Sequence, residues 1–310
     1  MDRLDVKLVR ELSQGRNVGL VWGDINPAYR EMANRLGVSK ETVRDRVEKM
    51  RSSGVLKVFP IQVNPELLGL DLGALLVDVP ATASRRDLLG KLTLLEGILL
   101  TVSHVGSSIG MIFYYEDEPS LKKKIELISK ICGATAADFT TIPYPHCTLS
   151  LSTMDWKIVS ALQKRGSGRA SRISAELGIS ERTLRRRLKR LVDGWAVSTL
   201  ISTDVAPLRG MVVANLMIHY TSQKLRQEAD TRLLKDLDEY AFFPGLWTDY
   251  SVYSLFLPSI PEANRVLERA KETPGVKTAR IELVEKRMET YDVLREQVER
   301  KLRPIQSSKL

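Results

Sequence analysis

Two stretches of this chain share one pattern: LGISERTLRRRLKRL at residues 177–191 and LGVSKETVRDRV at residues 36–47. In each, a glycine ends a short helical segment, and a serine follows at a position suited to capping the next helix. Apolar residues then recur three and four positions apart, which predicts a second helix with one buried face. Two helices joined by a tight turn are typical of the helix-turn-helix motif, so the sequence predicts two copies of it.

The two motifs belong to a longer internal repeat. Residues 4–9 resemble residues 154–159, and glycines at 54, 69 and 133 recur at 194, 210 and 275. The spacing between copies shortens from 150 to 141 residues, so the first copy has nine additional residues, within 15–27, where the composition predicts a loop. The joining segment, residues 143–153, is short and lacks glycine, which predicts that the halves are held close together.

Each motif is followed by a β-rich segment, residues 54–61 and 194–201, which predicts a two-stranded wing. The order strand, helix, strand, strand, helix, strand then occurs twice, over residues 72–142 and 212–283. This order is ferredoxin-like, with helices on one sheet face and the other face uncovered. The predicted fold class is α+β, a tandem duplication of a winged helix-turn-helix and a ferredoxin-like βαββαβ (ACT/RAM-like) domain, whose uncovered faces partner each other within the chain.

The predicted domain boundaries follow from this order: winged helix-turn-helix domains at 1–64 and 151–205, ferredoxin-like domains at 65–150 and 206–284, and a C-terminal helix and tail at 285–310.

Local patterns in the second half lead to four more detailed predictions. Apolar periodicity predicts a helix over residues 225–240 and a strand over residues 246–250. A charged helix is predicted over residues 285–302, which have no counterpart in the first half, and a frayed tail over residues 304–310.

The composition narrows the class of protein. The chain has 310 residues, 43% hydrophobic and 27% charged, which is typical of a globular protein and excludes a fibrous or disordered one. Its 47 Lys and Arg exceed its 38 Asp and Glu, and a net charge of +9 attracts polyanions such as nucleic acid. We found no membrane-length apolar run and no signal-peptide pattern, and two cysteines do not form a disulfide framework, so we expect a cytoplasmic protein.

The second helix-turn-helix presents a cationic face. At 100° per residue, the outward positions of its second helix are Arg182, Arg186 and Lys189, with Arg185 on the flank. Residues 164–192 contain ten Lys or Arg against two Glu. Basic side chains neutralise phosphates, and arginine can also bind a guanine edge with two hydrogen bonds. This helix is therefore predicted to enter the major groove of DNA.

The first helix-turn-helix differs in charge at the same positions. Glu41, Asp45 and Glu48 project outward, with Arg44 on the flank and Lys40 near the N-terminus. Carboxylates facing phosphates would repel them, so the second motif is predicted to supply most of the DNA affinity. The first either accepts hydrogen bonds from cytosine amino groups or has a structural role. The candidate DNA-contacting residues are Ser180, Arg182, Thr183, Arg185, Arg186, Arg187, Lys189 and Arg190, with Lys40, Thr42, Arg44 and Arg46 in the first copy.

These motifs resemble the Lrp/AsnC (feast/famine) family of transcription regulators, and Asn64-Pro65-x-x-Leu68-Gly69 after the first wing also fits that family. The resemblance covers nearly the whole chain, read as two fused family units. It implies a regulator whose ferredoxin-like domain mediates assembly and senses a small-molecule effector. The family's effector site uses a turn with glycine and a following aspartate, so the implied effector residues are Gly106, Ser107 and Ser108, where the acid is missing, and Asp249 and Tyr250.

Other classes of protein share parts of this pattern. Siroheme decarboxylases resemble the same architecture but would need histidine and arginine around a haem-like substrate, and this chain has His104, His146 and His219 with no histidine-rich stretch. A non-specific architectural DNA-binding protein would share the basic charge, and three-helix units also serve as packing or dimerisation modules. His146 and Cys147 form the one adjacent pair of soft metal ligands, without a second pair to complete a zinc site.

The sequence therefore predicts a sequence-specific, double-stranded DNA-binding transcription regulator. We predict no catalytic residue, metal or cofactor. One chain is expected to act as a pseudo-dimer, with further homodimerisation through the ferredoxin-like sheets or the C-terminal helix.

Overall fold

The computed structural model describes residues 1–13, 26–57, 61–165, 170–199, 203–204, 206–208, 210–290 and 292–307. The chain forms two compact units, and each contains segments from both halves of the sequence. The first unit comprises Met1–Arg10, Asp71–Pro143 and Asp204–Glu289, and the second comprises Glu11–Leu70, Tyr144–Thr203 and Thr290–Leu310. Ferredoxin-like segments thus fold with each other, as do the helix-turn-helix segments. None of the described helices is both long enough and apolar enough to cross a membrane.

The elements of the first half, in chain order, are α1 (Arg3–Ser13), α2 (Asn26–Leu36), α3 (Lys40–Ser52), β1 (Ile61–Val63), α4 (Pro65–Leu68), β2 (Asp71–Asp78), α5 (Arg85–Leu92), β3 (Ile98–His104), β4 (Ser108–Tyr115), α6 (Glu118–Cys132) and β5 (Ala136–Thr141). Those that follow are α7 (Thr153–Arg165), α8 (Ala170–Leu177), α9 (Glu181–Asp193), β6 (Val197–Thr199), β7 (Val212–Tyr220), α10 (Gln223–Asp236), β8 (Ala241–Leu246), β9 (Tyr250–Leu257), α11 (Ile260–Glu272), β10 (Val276–Glu289) and α12 (Asp292–Ser307).

Both helix-turn-helix motifs form as the sequence predicts. Ser39 and Ser180 cap α3 and α9, because each side chain accepts a hydrogen bond from a backbone amide in the first turn of its helix. The turn glycines, Gly37 and Gly178, have φ angles of 66° and 65°, a left-handed conformation that favours glycine. The predicted apolar faces are buried; they comprise Val43, Val47 and Met50 in α3 and Leu184, Leu188 and Leu191 in α9.

The prediction of a two-stranded wing in each half needs correction. In the described residues, β1 of the first half pairs antiparallel with β6 of the second, with Ile61 opposite Thr199 and Val63 opposite Val197. A three-residue strand is not stable alone, and the equivalent strand of the other half supplies its partner. Residues 58–60 and 200–201 of the predicted wings lie outside the described residues, as does most of the predicted loop at 15–27.

The first unit contains one eight-stranded sheet with the order β5-β2-β4-β3-β10-β7-β9-β8. Each half contributes four neighbouring strands in the ferredoxin-like order, fourth, first, third, second, which confirms the predicted fold class. Side chains alternate across the sheet: Leu75 and Val77 pack against α5 and α6, whereas Leu76 lies in a separate cluster with Met217 and Tyr250 of the second half. The faces without helices therefore contact each other, as predicted.

The long strand β10 joins the two halves. Its residues 276–283 pair with β7 of its own half, and residues 284–289 pair antiparallel with β3 of the other half. A second junction lies at the turn before β9, where the backbone amide and hydroxyl of Thr248 both donate to the carbonyl oxygen of Thr141, at 3.1 and 2.9 Å. Thr140 donates a hydrogen bond to Asp249 beside it, at 2.9 Å.

Two predictions in the second half were wrong. Residues 285–289 were predicted to belong to a separate C-terminal helix, but they continue β10. The backbone N–H and C=O groups at the edge of β3 form hydrogen bonds with this extension. The helix α12 starts only at Asp292 and continues through Pro304 to Ser307, so residues 304–307 are not a frayed tail; residues 308–310 lie outside the described part.

The strand predicted at residues 246–250 was also misplaced. It is β8 at Ala241–Leu246, and the preceding helix ends at Asp236 rather than at residue 240. Pro244 and Gly245 are typical of a turn, which concealed the strand in the sequence. Because β8 pairs with β9 alone among the described strands and lies at the edge of the sheet, it can include a proline, which lacks a backbone donor.

A buried chain of hydrogen bonds crosses between the halves. His104 Nδ1 lies 3.0 Å from the Ser108 hydroxyl, which donates to Glu282 at 3.1 Å. Since that hydroxyl accepts from His104, the Nε2 atom of His104 is left to accept from the Asn215 amide at 3.1 Å. Burial lowers the pKa of His104 to about 4, and the nearby charge of Arg280 acts in the same direction. The imidazole is therefore neutral at pH 7.

Protonation of His104 is expected to make the fold acid-sensitive. Between pH 6.5 and about 4 the unfolded chain binds a proton on this side chain and the folded chain does not, so the free energy of unfolding falls as the pH drops through this range. The His104 contribution is about 3 kcal/mol. Urea unfolding at a series of pH values measures this effect. As the pH falls, the free energy of unfolding should decrease less in His104→Gln than in the wild type. The exposed His146→Gln is the control and should follow the wild type; parallel curves for all three proteins would contradict the assignment.

Candidate nucleic-acid interface

The outward face of α9 carries exposed cations. Leu184, Leu188 and Leu191 are at most 1% exposed and hold the opposite side of this helix in the core. Arg182 and Arg186 consequently project into solvent, and in the part of the chain that the structure describes no carboxylate lies within ion-pair distance of either. The helix has six basic and two acidic residues. Such a face is suited to a polyanion.

Two of the predicted DNA-contacting arginines are held by a buried carboxylate. Arg187 Nη1 lies 2.9 Å from Asp155 Oδ1, and Arg190 Nη2 lies 2.6 Å from Asp155 Oδ2, while the Asp155 side chain is fully buried at the start of α7. The Ser152 hydroxyl also donates to Asp155, at 2.7 Å. These contacts fasten α9 to α7 and use hydrogen-bonding groups that sequence analysis assigned to DNA.

Burial opposes ionisation of Asp155, but the hydrogen bonds from Ser152 and Arg187 and the charge of Arg190 outweigh it, so the pKa of this carboxyl lies below its usual range. Sequence analysis missed Asp155 because nothing in the spacing indicates its burial. The available signal was its place in the repeated block at residues 154–159.

The remaining second-copy candidates have local partners. Lys189 lies 2.5 Å from Asp193, and Arg185 lies 3.7 Å from Glu181, each one turn away on the exposed surface. Surface pairs of this kind contribute about 0–1 kcal/mol and exchange readily for a phosphate. Ser180 donates to the hydroxyl of Thr183 and accepts from its amide, so both residues form the N-cap.

In α3, Glu41, Asp45 and Glu48 are exposed, as predicted from the helical projection. They occupy the positions that Arg182, Arg186 and Lys189 hold 141 residues later.

Three of the four first-copy candidates for DNA contact, Thr42, Arg44 and Arg46, also have partners within the chain. Arg44 donates to Asp45 at 3.0 and 2.9 Å, which raises the pKa of its guanidinium and cancels its charge locally. The Thr42 hydroxyl is 2.8 Å from the Ser39 hydroxyl at the cap, and Lys40 and Arg46 are half-buried. At the three outward acidic positions of α3, the two equivalent helices thus present charges of opposite sign.

The implied effector residues lie in two turns of the first unit. Gly106, Ser107 and Ser108 lie at the β3–β4 turn, where the Ser107 carbonyl accepts from Val79 and the Ser108 side chain belongs to the buried chain of hydrogen bonds. Asp249 and Tyr250 lie at the β8–β9 turn. There Asp249 binds Thr140 and the Tyr250 ring is 1% exposed, with burial raising its pKa. These polar groups serve contacts within the unit.

The candidate metal ligands also have protein partners. His146 Nδ1 is 2.8 Å from Glu66, and the backbone amide of Cys147 donates to the same carboxylate at 3.0 Å. Across the described residues, no group of three or more His, Cys, Asp or Glu could hold a metal ion.

Comparison with known proteins identifies one domain in the chain. Residues 151–192 match the AsnC-type helix-turn-helix domain, so the chain contains this domain, and the resemblance to Lrp/AsnC regulators is confirmed there. Similar proteins include the HTH-type transcriptional regulator Ptr1 of Methanocaldococcus jannaschii, 30% identical over 99 residues, and the regulatory protein AsnC of Escherichia coli, 32% identical over 93 residues. The alignments cover 32% and 28% of this chain and 61% and 60% of those proteins.

Solved structures resemble the fold over the whole chain. The siroheme decarboxylase NirDL has a TM-score of 0.55 at 11% identity, covering 97% of this chain and 98% of that one. Its complex with an iron-uroporphyrin III analogue has a TM-score of 0.54 at 12% identity and covers both chains completely. Likeness at this level of identity shows a common fold and leaves the activity to be determined from the site.

Asp155→Asn is expected to lower the free energy of unfolding by about 2–3 kcal/mol, because it removes the charge that pairs with two arginines. The partial exposure of both arginines keeps the loss below that of a fully buried pair. Denaturant unfolding measures the effect. The control is Asp193→Asn, which removes an exposed carboxylate from α9 and should cost less than about 1 kcal/mol. Equal losses in the two variants would show that Asp155 is not an anchor.

Proposed function

We propose that this chain is a sequence-specific, double-stranded DNA-binding transcription regulator and that α9 supplies most of its DNA affinity. The observation that carries the proposal is the exposed cationic face of α9, opposite in charge to the equivalent face of α3. The AsnC-type domain match supports it, because it covers residues 151–192 and includes most of α9. A cytoplasmic location, as in a cell without a nucleus, is part of the same proposal.

The proposed mechanism places the N-terminal turns of α9 in the major groove. Each lysine or arginine that neutralises a phosphate releases a condensed counterion, which gives affinity that falls as salt rises. Occupancy of promoter DNA would then repress or activate transcription. In the first copy, the three exposed carboxylates of α3 would repel the phosphates, so that copy supports the second through the β1–β6 pairing.

Pseudo-dimer formation is part of the same proposal. The uncovered ferredoxin-like faces already contact each other within one chain, so assembly of two chains would use another surface, such as α12. A small-molecule effector at the two turns of the first unit would have to replace existing hydrogen bonds, including that between Asp249 and Thr140.

Exchanging the charges of the two helices tests the role of α9. The triple variant Arg182→Glu, Arg186→Asp, Lys189→Glu gives α9 the outward residues of α3. We expect at least about a 100-fold loss of affinity near physiological salt, and a decrease of about 2.7 in the slope of log affinity against log salt, since three phosphate contacts are lost. Fluorescence anisotropy with duplexes selected from genomic fragments measures both quantities.

The reciprocal variant, Glu41→Arg, Asp45→Arg, Glu48→Lys, is the matched control and should not weaken binding. Unchanged affinity of the α9 variant would refute the assignment to α9. Enrichment of no motif by the wild type, despite tight and salt-sensitive binding, would instead indicate an architectural protein.

A siroheme-decarboxylase-like activity is the second candidate, because NirDL shares the fold over the whole chain. Against this activity, both ring nitrogens of His104 are occupied by hydrogen bonds within the protein. Incubation of the purified protein with siroheme, followed by mass spectrometry of the tetrapyrrole, tests the alternative. We expect unchanged siroheme; loss of carbon dioxide from the substrate would establish the enzyme.

A further inference from the structure

We infer that Arg182 and Arg186 are the base-reading residues of α9 and that they select two guanines about two base steps apart. This inference rests on the DNA-binding function proposed above and adds the identity of the bases. It follows from how the six cations of α9 are distributed among partners within the protein.

The buried carboxylate of Asp155 separates the cations into two groups. Arg187 and Arg190 are held by it at 2.9 and 2.6 Å, so their guanidinium groups maintain the position of the helix. Arg182 and Arg186 are exposed, and no carboxylate of the described residues, Asp155 included, lies within ion-pair distance of them. They are therefore available to a ligand without loss of an existing ion pair.

The chemistry of the side chains assigns bases to the arginines. A guanidinium group donates two parallel hydrogen bonds, and the O6 and N7 atoms of guanine accept such a pair in the major groove. Lysine is a compact charge on a flexible stem, and Lys189 lies further along the helix beside Asp193. A contact to a backbone phosphate suits Lys189 better, since it needs no fixed geometry.

The position of the two arginines along α9 sets the spacing of the guanines. They lie in the first two turns, the part of a recognition helix that reaches base edges. Four residues at 1.5 Å per residue separate them by about 6 Å along the helix axis. Base pairs are spaced by about 3.4 Å along the DNA axis, so with the α9 axis parallel to the DNA axis this separation corresponds to about two base steps.

The anchor also gives the arginines a defined direction. Rotation of α9 about its axis would break the contacts of Arg187 and Arg190 with Asp155 and would expose leucines that are at most 1% accessible. Ser180 fixes the start of the helix through its cap hydrogen bond to Thr183. A helix held at its end and its buried side presents its outward residues at a constant angle, as base recognition requires.

Selection from a random duplex library by the full-length protein tests the inference. The wild type is expected to enrich two guanines about two positions apart. Arg182→Gln and Arg186→Gln should each change the preference at one of these positions from guanine to adenine, because glutamine pairs with adenine N6 and N7. The wild type should favour guanine over adenine there by about 5- to 150-fold.

The control variant is Lys189→Ala. It should weaken binding to all sequences alike, reduce the salt slope by about 0.9 and leave the selected motif unchanged. Should a glutamine variant bind too weakly for selection, wild-type binding to duplexes with 7-deazaguanine at each position gives the answer, because this base lacks the N7 acceptor. Loss of affinity at the two predicted guanines supports the inference.

The possible failures are distinguishable. A wild-type motif without the guanine pair, or the same motif in both glutamine variants, overturns the assignment of bases while DNA binding stands. Absence of salt-sensitive DNA binding by the wild type overturns this inference together with the proposed function.

Discussion

Backbone pairing between residues 284–289 of β10 and strand β3 joins the two halves of the sequence into one sheet. The same strand pairs with β7 through residues 276–283, so a single segment of 14 residues belongs to both ferredoxin-like halves. The equivalent strand of the first half, β5, ends at Thr141, two residues before Pro143. The two halves therefore share the same strand order, but in the described residues only the last strand of the second half extends to pair with a strand of the other half.

Local features of the fold were predictable from sequence, and features that depend on distant pairing were not. Helix caps, turn glycines and apolar faces involve residues within a few positions, and α3, over Lys40–Ser52, buries the apolar face that was predicted for it. Two features depend on partners far along the chain: the extension of β10 and the pairing of β1 with β6. The strand β8 depends instead on its place at the edge of the sheet. A proline in an edge strand resembles a turn until the sheet order is known.

The candidate site shows the same division. A helical projection placed Arg182, Arg186 and Lys189 outward because it needs the helix period alone. The projection could not show that Arg187 and Arg190 bind within the protein and not to DNA. Their partner, Asp155, lies 32 and 35 residues earlier and is fully buried. Buried faces and caps determine where α3 and α9 lie, whereas exposed positions determine what each can bind. Two helices with the same fold therefore carry opposite charges at three equivalent outward positions.

Joining both copies in one polypeptide has a genetic consequence. In an assembly of two identical chains every substitution appears twice, so an acidic residue that improves one recognition helix for a new role damages the other. In this chain β1 and β6, which pair across the repeat, are different segments of the sequence, and so are α3 and α9. Each can therefore be mutated without changing its counterpart. A mutation can change the exposed residues of α3 while those of α9 stay as they are. Fusion thus releases the copies from shared selection and permits specialisation without a second gene.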